Sequence, residues 1–266
     1  MPRLLTVLEE AGISRADAQR VLQTARPCAQ LGPGRKQPKP AQAESKFGGA
    51  PDVAPTFTWP SFEGRPLAFL AQVRLSDVGP EVRHSLGLPA DGLLGFFFEA
   101  AKQPWGYHPS QQGAGLVTFN PDVAAVAPAL VPARVPAQLR FPERKMGFLE
   151  RTVLPERHAA AFEALALDPA TVAAYGEVRE TLQDSEPGPL HLLGGHAQAI
   201  LGAMEKEWEP PSTPADVAPW RLLLQLDSDE ALTTSWGDDG RLYFWVRQDA
   251  LARCDFSGAW CILQSQ

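Results

Sequence analysis

The chain has 266 residues, 44% hydrophobic and 21% charged, enough for one large domain or two small ones with a sizeable core. A net charge of −7 and a pI near 5.3 argue against nucleic acid or an anionic membrane surface as the partner. No apolar run is long enough to span a bilayer, the first residues carry acids and lack a signal peptide's apolar stretch, and three cysteines without CxxC spacing fit a reducing compartment. The expectation is a cytoplasmic protein without cofactor or metal.

Residues 1–26 form a helical segment: Leu4, Leu5 and Leu8 recur at helical spacing, and Ser14 can cap a second helix carrying Ala18, Val21 and Leu22. Residues 27–44 are Pro-rich with few large apolar groups and read as a linker, the irregular character continuing to 46. The body spans 45–266. Its first part, about 45–150, has strands expected at 66–75 and 93–99 around a turn at 86–92, a third at 116–119, an irregular stretch at 124–137 and one or two strands within 139–154. A helical insertion at about 155–184 follows, with Pro155 at one helix start and Asp168 capping the next. The second part, about 190–266, has a helix expected at 197–207, a Pro-rich break at 209–219, strands at 220–226, 241–246 and 260–263, and a short helix at 249–253. Strands in blocks and helices in blocks indicate an α+β fold with mainly antiparallel strands.

The two parts repeat an order. Gly48-Gly49, an apolar strand containing Gln72, Asp91-Gly92 and an aromatic strand are followed by Gly194-Gly195, a strand containing Gln225, Asp239-Gly240 and another aromatic strand. Asp-Gly is common in hairpins because both residues tolerate positive φ. A Gln inside each apolar strand is unusual, and it favours internal duplication into two similar halves over coincidence. A buried amide must find partners. The favoured reading has each Gln bracing a loop of its own half through the backbone; the other has both amides reaching a ligand in a cleft between the halves.

The ordered pieces GGAPDV, FTWP, GRPLAFLAQVRL and LPADGLLGFFFE, then HLLGGHAQAI and LLLQLDSDEALTTSWGDDGRLYFWVRQDAL, resemble the YwqG-like family, a bacterial domain of unknown function (DUF1963), over roughly residues 45–266. The resemblance implies an α+β fold of two similar halves and no particular activity. The family often carries a Pro after the second Gly-Gly; this chain has His196 there, which puts the shape of that turn in question.

The carboxylates Asp227, Asp229, Glu230, Asp238 and Asp239 could hold a divalent cation, but they lack the loop pattern of a Ca²⁺ site and read better as a solvated strand connection. His191 and His196 lack helix-face spacing, and no nucleophile–base–orienter set, P-loop or dinucleotide fingerprint is present. The candidate ligand-binding residues are Gln72, Gln225, His191, Trp236 and Asp238, with no catalytic residue assigned. The aromatics read mainly as core. The function expected is a non-enzymatic binding or protein-interaction module, one version being an immunity-type protein that neutralises a toxin, with a protein or small ligand as partner. The alternatives are an enzyme of unknown class with a cleft between the halves and a divalent-metal-binding module.

Overall fold

Helix α1 (Pro2–Glu10) turns Leu4, Leu5 and Leu8 to one side, and α2 (Arg15–Gln23) begins where Ser14 Oγ accepts the Asp17 N–H at 3.1 Å. These helices belong to a computed structural model that describes residues 2–34, 40–184, 188–202, 204 and 219–266. Strand β1 (Arg26–Pro33) leads to β2 (Lys46–Phe47), β3 (Asp52–Val53), β4 (Ser61–Phe62), β5 (Arg65–Pro66) and β6 (Ala68–Arg74). Helix α3 (Pro80–Leu86) precedes β7 (Leu93–Phe98), β8 (Gly115–Asn120), β9 (Ala127–Pro128) and β10 (Arg144–Val153). Then come α4 (Ala160–Glu163), α5 (Pro169–Asp184), β11 (His191–Gly194), β12 (Trp220–Asp227), β13 (Arg241–Arg247), α6 (Gln248–Ala252) and β14 (Trp260–Gln264).

Ten strands form one antiparallel sheet in the order β14-β13-β12-β11-β1-β10-β2-β6-β7-β8. The mixture of helices with a large antiparallel sheet agrees with the α+β expectation. Residues 26–33 correct the reading of the 27–46 stretch as irregular: β1 pairs with β10 on one side and β11 on the other, and buries Cys28, Ala29 and Leu31. Proline does not prevent this, because Pro27 and Pro33 sit near the strand ends, where a missing N–H costs least.

The same pairing explains the helices. Arg26 stands opposite Val153, so α2 ends and the α4–α5 segment begins at the same end of adjacent strands. Leu8, Ile13, Ala18 and Val21 therefore pack with Leu154, Phe162, Tyr175 and Val178 in one apolar cluster. The Phe162 and Tyr175 rings stack at 4.1 Å, and the Tyr175 hydroxyl donates to the Pro155 carbonyl at 2.6 Å. Two segments far apart in sequence share one helical core.

Helix α3 occupies a stretch to which the sequence assigns no element, and it ends where the turn expected at 86–92 begins. Pro80 stands in its first turn and Gly87, at φ 72°, ends it in the left-handed conformation. The helix expected at 197–207 is not formed over 197–202, and residues 203 and 205–207 lie outside the described set, as do residues 35–39, Trp208 and 209–218. No described helix is long and apolar enough to cross a membrane.

The largest core cluster lies inside the curve of the sheet and draws on both halves. Phe96 meets Phe244 at 5.4 Å, and Trp236 packs edge-on against Phe98 and Phe141, each at 5.8 Å. The sheet is nearly closed: Leu263 N–H donates to the Trp105 carbonyl at 2.9 Å, and a Cβ on Gly115 would lie 2.1 Å from the Cys261 Cβ. Gly115→Ala is expected to cost about 1–3 kcal/mol through this overlap. Gly32→Ala, in a strand position with no atom within 4 Å of the added methyl, should stay within about 0.5 kcal/mol. Urea midpoints of the two variants check this; equal midpoints would refute the closure argument.

Candidate functional site

Both glutamines sit in apolar strands that continue the same local arrangement. Gln72 stands opposite Lys46, two residues before Gly48-Gly49, and Gln225 stands opposite Leu192, two before Gly194-Gly195. The four glycines have φ between 57° and 78°, a region that disfavours any side chain. Gln72 Oε1 accepts the Asp52 N–H at 2.8 Å and its Nε2 donates to the Glu44 carbonyl at 2.8 Å. Gln225 Oε1 accepts the Gln198 N–H at 3.0 Å and its Nε2 donates to the Leu190 carbonyl at 2.8 Å. Each amide ties the chain before its Gly-Gly turn to the chain after it.

The correspondence extends outward. Register breaks fall between Phe69 and Ala71 and between Leu222 and Leu224, at matching distances before the two glutamines. Ser45 Oγ accepts the Arg74 N–H at 2.8 Å, and His191 Nδ1 accepts the Asp227 N–H at 3.0 Å. The strand-end charges are exchanged between halves: Arg74 pairs with Asp91, holding that carboxyl down to about 2, whereas Asp227 pairs with Arg241.

His191 is closed in. With Nδ1 accepting from Asp227, its Nε2 faces Asp229 Oδ2 at 3.1 Å, and this bond, with the Ala231 N–H, holds the Asp229 carboxyl below the usual carboxylate range. Trp236 is buried, and its indole N–H donates to the Asp227 carbonyl at 3.2 Å. His191 and Trp236 line a cavity between the halves with Phe47, Leu70, Phe141 and Leu226, but its volume is about 10 Å³, room for one water at most. Of the five residues expected from sequence, the structure brings these two to one cavity. Gln72 and Gln225 remain each within its own half, and Asp238 is exposed. Asp227 and Asp229 face Arg241 and His191 respectively, and no described group of three His, Cys, Asp or Glu converges on a point.

A roomier space lies on the outer face of the second half. It is a cleft of about 400 Å³, within the range of small-ligand pockets, between the α4 segment and the Gly194-Gly195 turn. Trp220, Leu222 and Trp245 form one wall, Ala159–Ala161 on and before α4 form another, and Arg26, Glu156 and His196 supply polar groups. The register break sends Leu223 and Leu224 to the inner core and Leu222 to the opposite face, where it is buried with Met204, Tyr243 and Trp245 at the edge of the cleft.

His196 is 6% exposed and its Nε2 lies 2.7 Å from the Thr24 carbonyl. A carbonyl only accepts, so Nε2 carries the proton and Nδ1 is the bare acceptor. Burial first, and the Arg26 charge second, push the His196 pKa down to about 3. Sequence reasoning weighed His196 with His191 for helix-face spacing and as the residue standing where the family often has Pro; it read the aromatics mainly as core, and Trp245 is indeed buried, with Trp220 packed against the same cluster. Strand alternation assigns the face: Phe244 and Val246 join the inner cluster, and Trp245 joins a second buried cluster on the opposite face of the sheet.

One family model, described as Domain of unknown function (DUF1963), matches residues 45–265. No curated protein matches the chain. The matched region omits β1, the strand that lies between β10 and β11.

Replacing Gln225 by Leu orphans the Gln198 N–H and the Leu190 carbonyl and should cost about 2–6 kcal/mol, read from urea unfolding. A cost below about 1 kcal/mol would show that the brace is dispensable. The His196 shift also has a pH consequence. Its pKa is lower in the fold than its ordinary 6.5, so the unfolded chain binds the extra proton and stability falls as pH drops from about 6.5 towards 3. Wild type should lose up to about 1.4 kcal/mol per pH unit more than His196→Gln over that window. Parallel pH curves for the two proteins would contradict the burial of a neutral imidazole.

Proposed function

The chain belongs to the DUF1963 family, and we propose that this member is a non-enzymatic binding module whose ligand or partner group enters the cleft between the α4 segment and the second half of the sheet. The observation that carries the reading is the contrast between the two spaces. The seam between the halves measures about 10 Å³, whereas the outer cleft measures about 400 Å³ and has aromatic walls with a few polar groups. The polar side chains that an enzyme reading would place at the seam, Gln72, Gln225 and His191, are engaged in bonds within the protein. Binding at the cleft needs no nucleophile or acid–base pair, only a shaped apolar surface and orienting polar groups.

We also read the two halves as copies of one ancestral unit, supported by the matching Gly-Gly turns, glutamine braces and register breaks. On this reading the copies keep a common frame, and the second offers a cleft for binding.

The test is ligand-observed NMR with a set of aromatic fragments against wild type and Ala199→Phe, which places a ring in the cleft from its lining. Fragments should bind wild type and lose at least about tenfold in affinity to the variant, the scale of losing a buried apolar contact. Fragments that bind both proteins equally would place the binding surface elsewhere.

A further inference from the structure

The cleft beside the α4 segment carries a charge unlike that of the chain as a whole. Its charged lining residues are Arg26, half-buried at the start of β1, and Glu156. Glu156 is held by the buried Arg179, whose Nη2 stands 2.5 Å from its Oε1 and also donates to the Gln198 side chain. His196 lines the same cleft, and the charges acting on its ring are all positive: Arg26 first, then Arg221 and Arg179. A chain of net charge −7 thus holds a local positive field at this cleft.

The open part of the lining is apolar. Ala159, Ala160, Ala161, Ala197, Ala199 and Trp220 all keep part of their surface uncovered, whereas Met204, Leu222 and Trp245 are buried and offer no open face. The wall at residues 197–200 is fixed by strand side chains. Gln225 Oε1 accepts the Gln198 N–H at 3.0 Å, the Tyr243 hydroxyl donates to the Gln198 carbonyl at 2.9 Å, and Gln264 Oε1 accepts the Ile200 N–H at 3.0 Å. A wall held in this way is already ordered before anything binds, which removes one cost of binding.

We propose that the cleft takes an apolar molecule bearing a single carboxylate, its body against Ala160, Ala199 and Trp220 and its carboxylate on the Arg26 guanidinium. This rests on the cleft being the binding site and adds the charge and chemical class of its ligand. A guanidinium carries five N–H donors in a planar fork that fits a carboxylate, so Arg26 can take a ligand in addition to partners within the chain. His196, neutral and donating its Nε2 proton to the Thr24 carbonyl, leaves the ligand's charge to Arg26. A phosphate monoester, with close to two negative charges, fits less well beside the Glu156 carboxylate.

Calorimetric or NMR titration of the full chain with 4-phenylbutyrate and with 4-phenylbutanamide, the same body without the charge, tests this. The acid should bind at least about tenfold more tightly than the amide, and added salt should weaken the acid alone. Arg26→Gln should bring the acid down to the level of the amide, and Ala199→Phe should weaken both. N-acetylphenylalanine separates sources: binding as tight as phenylbutyrate's points to the C-terminal residue of a partner chain, and binding of phenylbutyrate alone points to a free small acid, either result supporting the class. Equal affinity for acid and amide, with both sensitive to Ala199→Phe, would overturn the anion assignment while leaving the cleft as the site. An acid affinity unchanged in a folded Arg26→Gln protein would do the same; if that variant does not fold, the wild type decides, and binding of the acid that ignores salt overturns the assignment. Absence of binding by either compound, or insensitivity to Ala199→Phe, would overturn both the assignment and the cleft.

Discussion

The double pairing of β1 is the contact on which the other arrangements depend. One short strand hydrogen-bonds to β10 through Arg26–Pro33 and to β11 through Cys28–Leu31, so it joins the strands of the first half to those of the second. Without it, β10 and β11 would each present an unpaired edge in the middle of the sheet, a costly state for buried backbone. The same strand fixes where α2 ends relative to the start of the α4–α5 segment, and so assembles the helical cluster around Leu8, Phe162 and Tyr175. The cleft exists because that cluster stands beside the Gly194-Gly195 turn.

Within each half the constraint is local and polar. A Gly-Gly turn with both residues at positive φ is entropically expensive and needs an external tie. The buried amide of Gln72 or Gln225 supplies it by bonding backbone on both sides of the turn, which is why a polar side chain persists in the apolar middle of each strand. The price is that these amides are committed. His191 shows the same economy: both ring nitrogens are spent on Asp227 and Asp229, and the seam beside it closes to the size of one water.

The outer faces are where the halves diverge. In the first, Phe57 and Trp59 cover Phe97; in the second, Leu222 and Trp245 are buried with Met204, and the cleft lies beside them against the α4 segment. The register break near each Gln directs one strand residue outward, so the surface that differs is placed by the frame that matches.

Much of the local structure was legible in the chain itself. The strands around Gln72, Phe97, Gln225 and Trp245 follow from their composition and the turns bounding them, and the demand of each Gln for backbone partners follows from the cost of burying an amide. Ser14, Pro80 and Gly87 mark helix ends within a few residues, and only the last two went unread. Sequence alone thus located the strands that carry the two glutamines and their aromatic partners, and the amides there that had to be satisfied, because those are properties of short windows. Only the tertiary structure decided that Arg26 would stand opposite Val153, that the N-terminal helices would share a core with α5, and that His191 would be sealed while His196 lined a cleft. Those outcomes depend on partners distant in the chain, from 36 residues for His191 and Asp227 to 172 for His196 and Thr24, and a Pro-bearing strand such as β1 gains its stability from the two neighbours it joins.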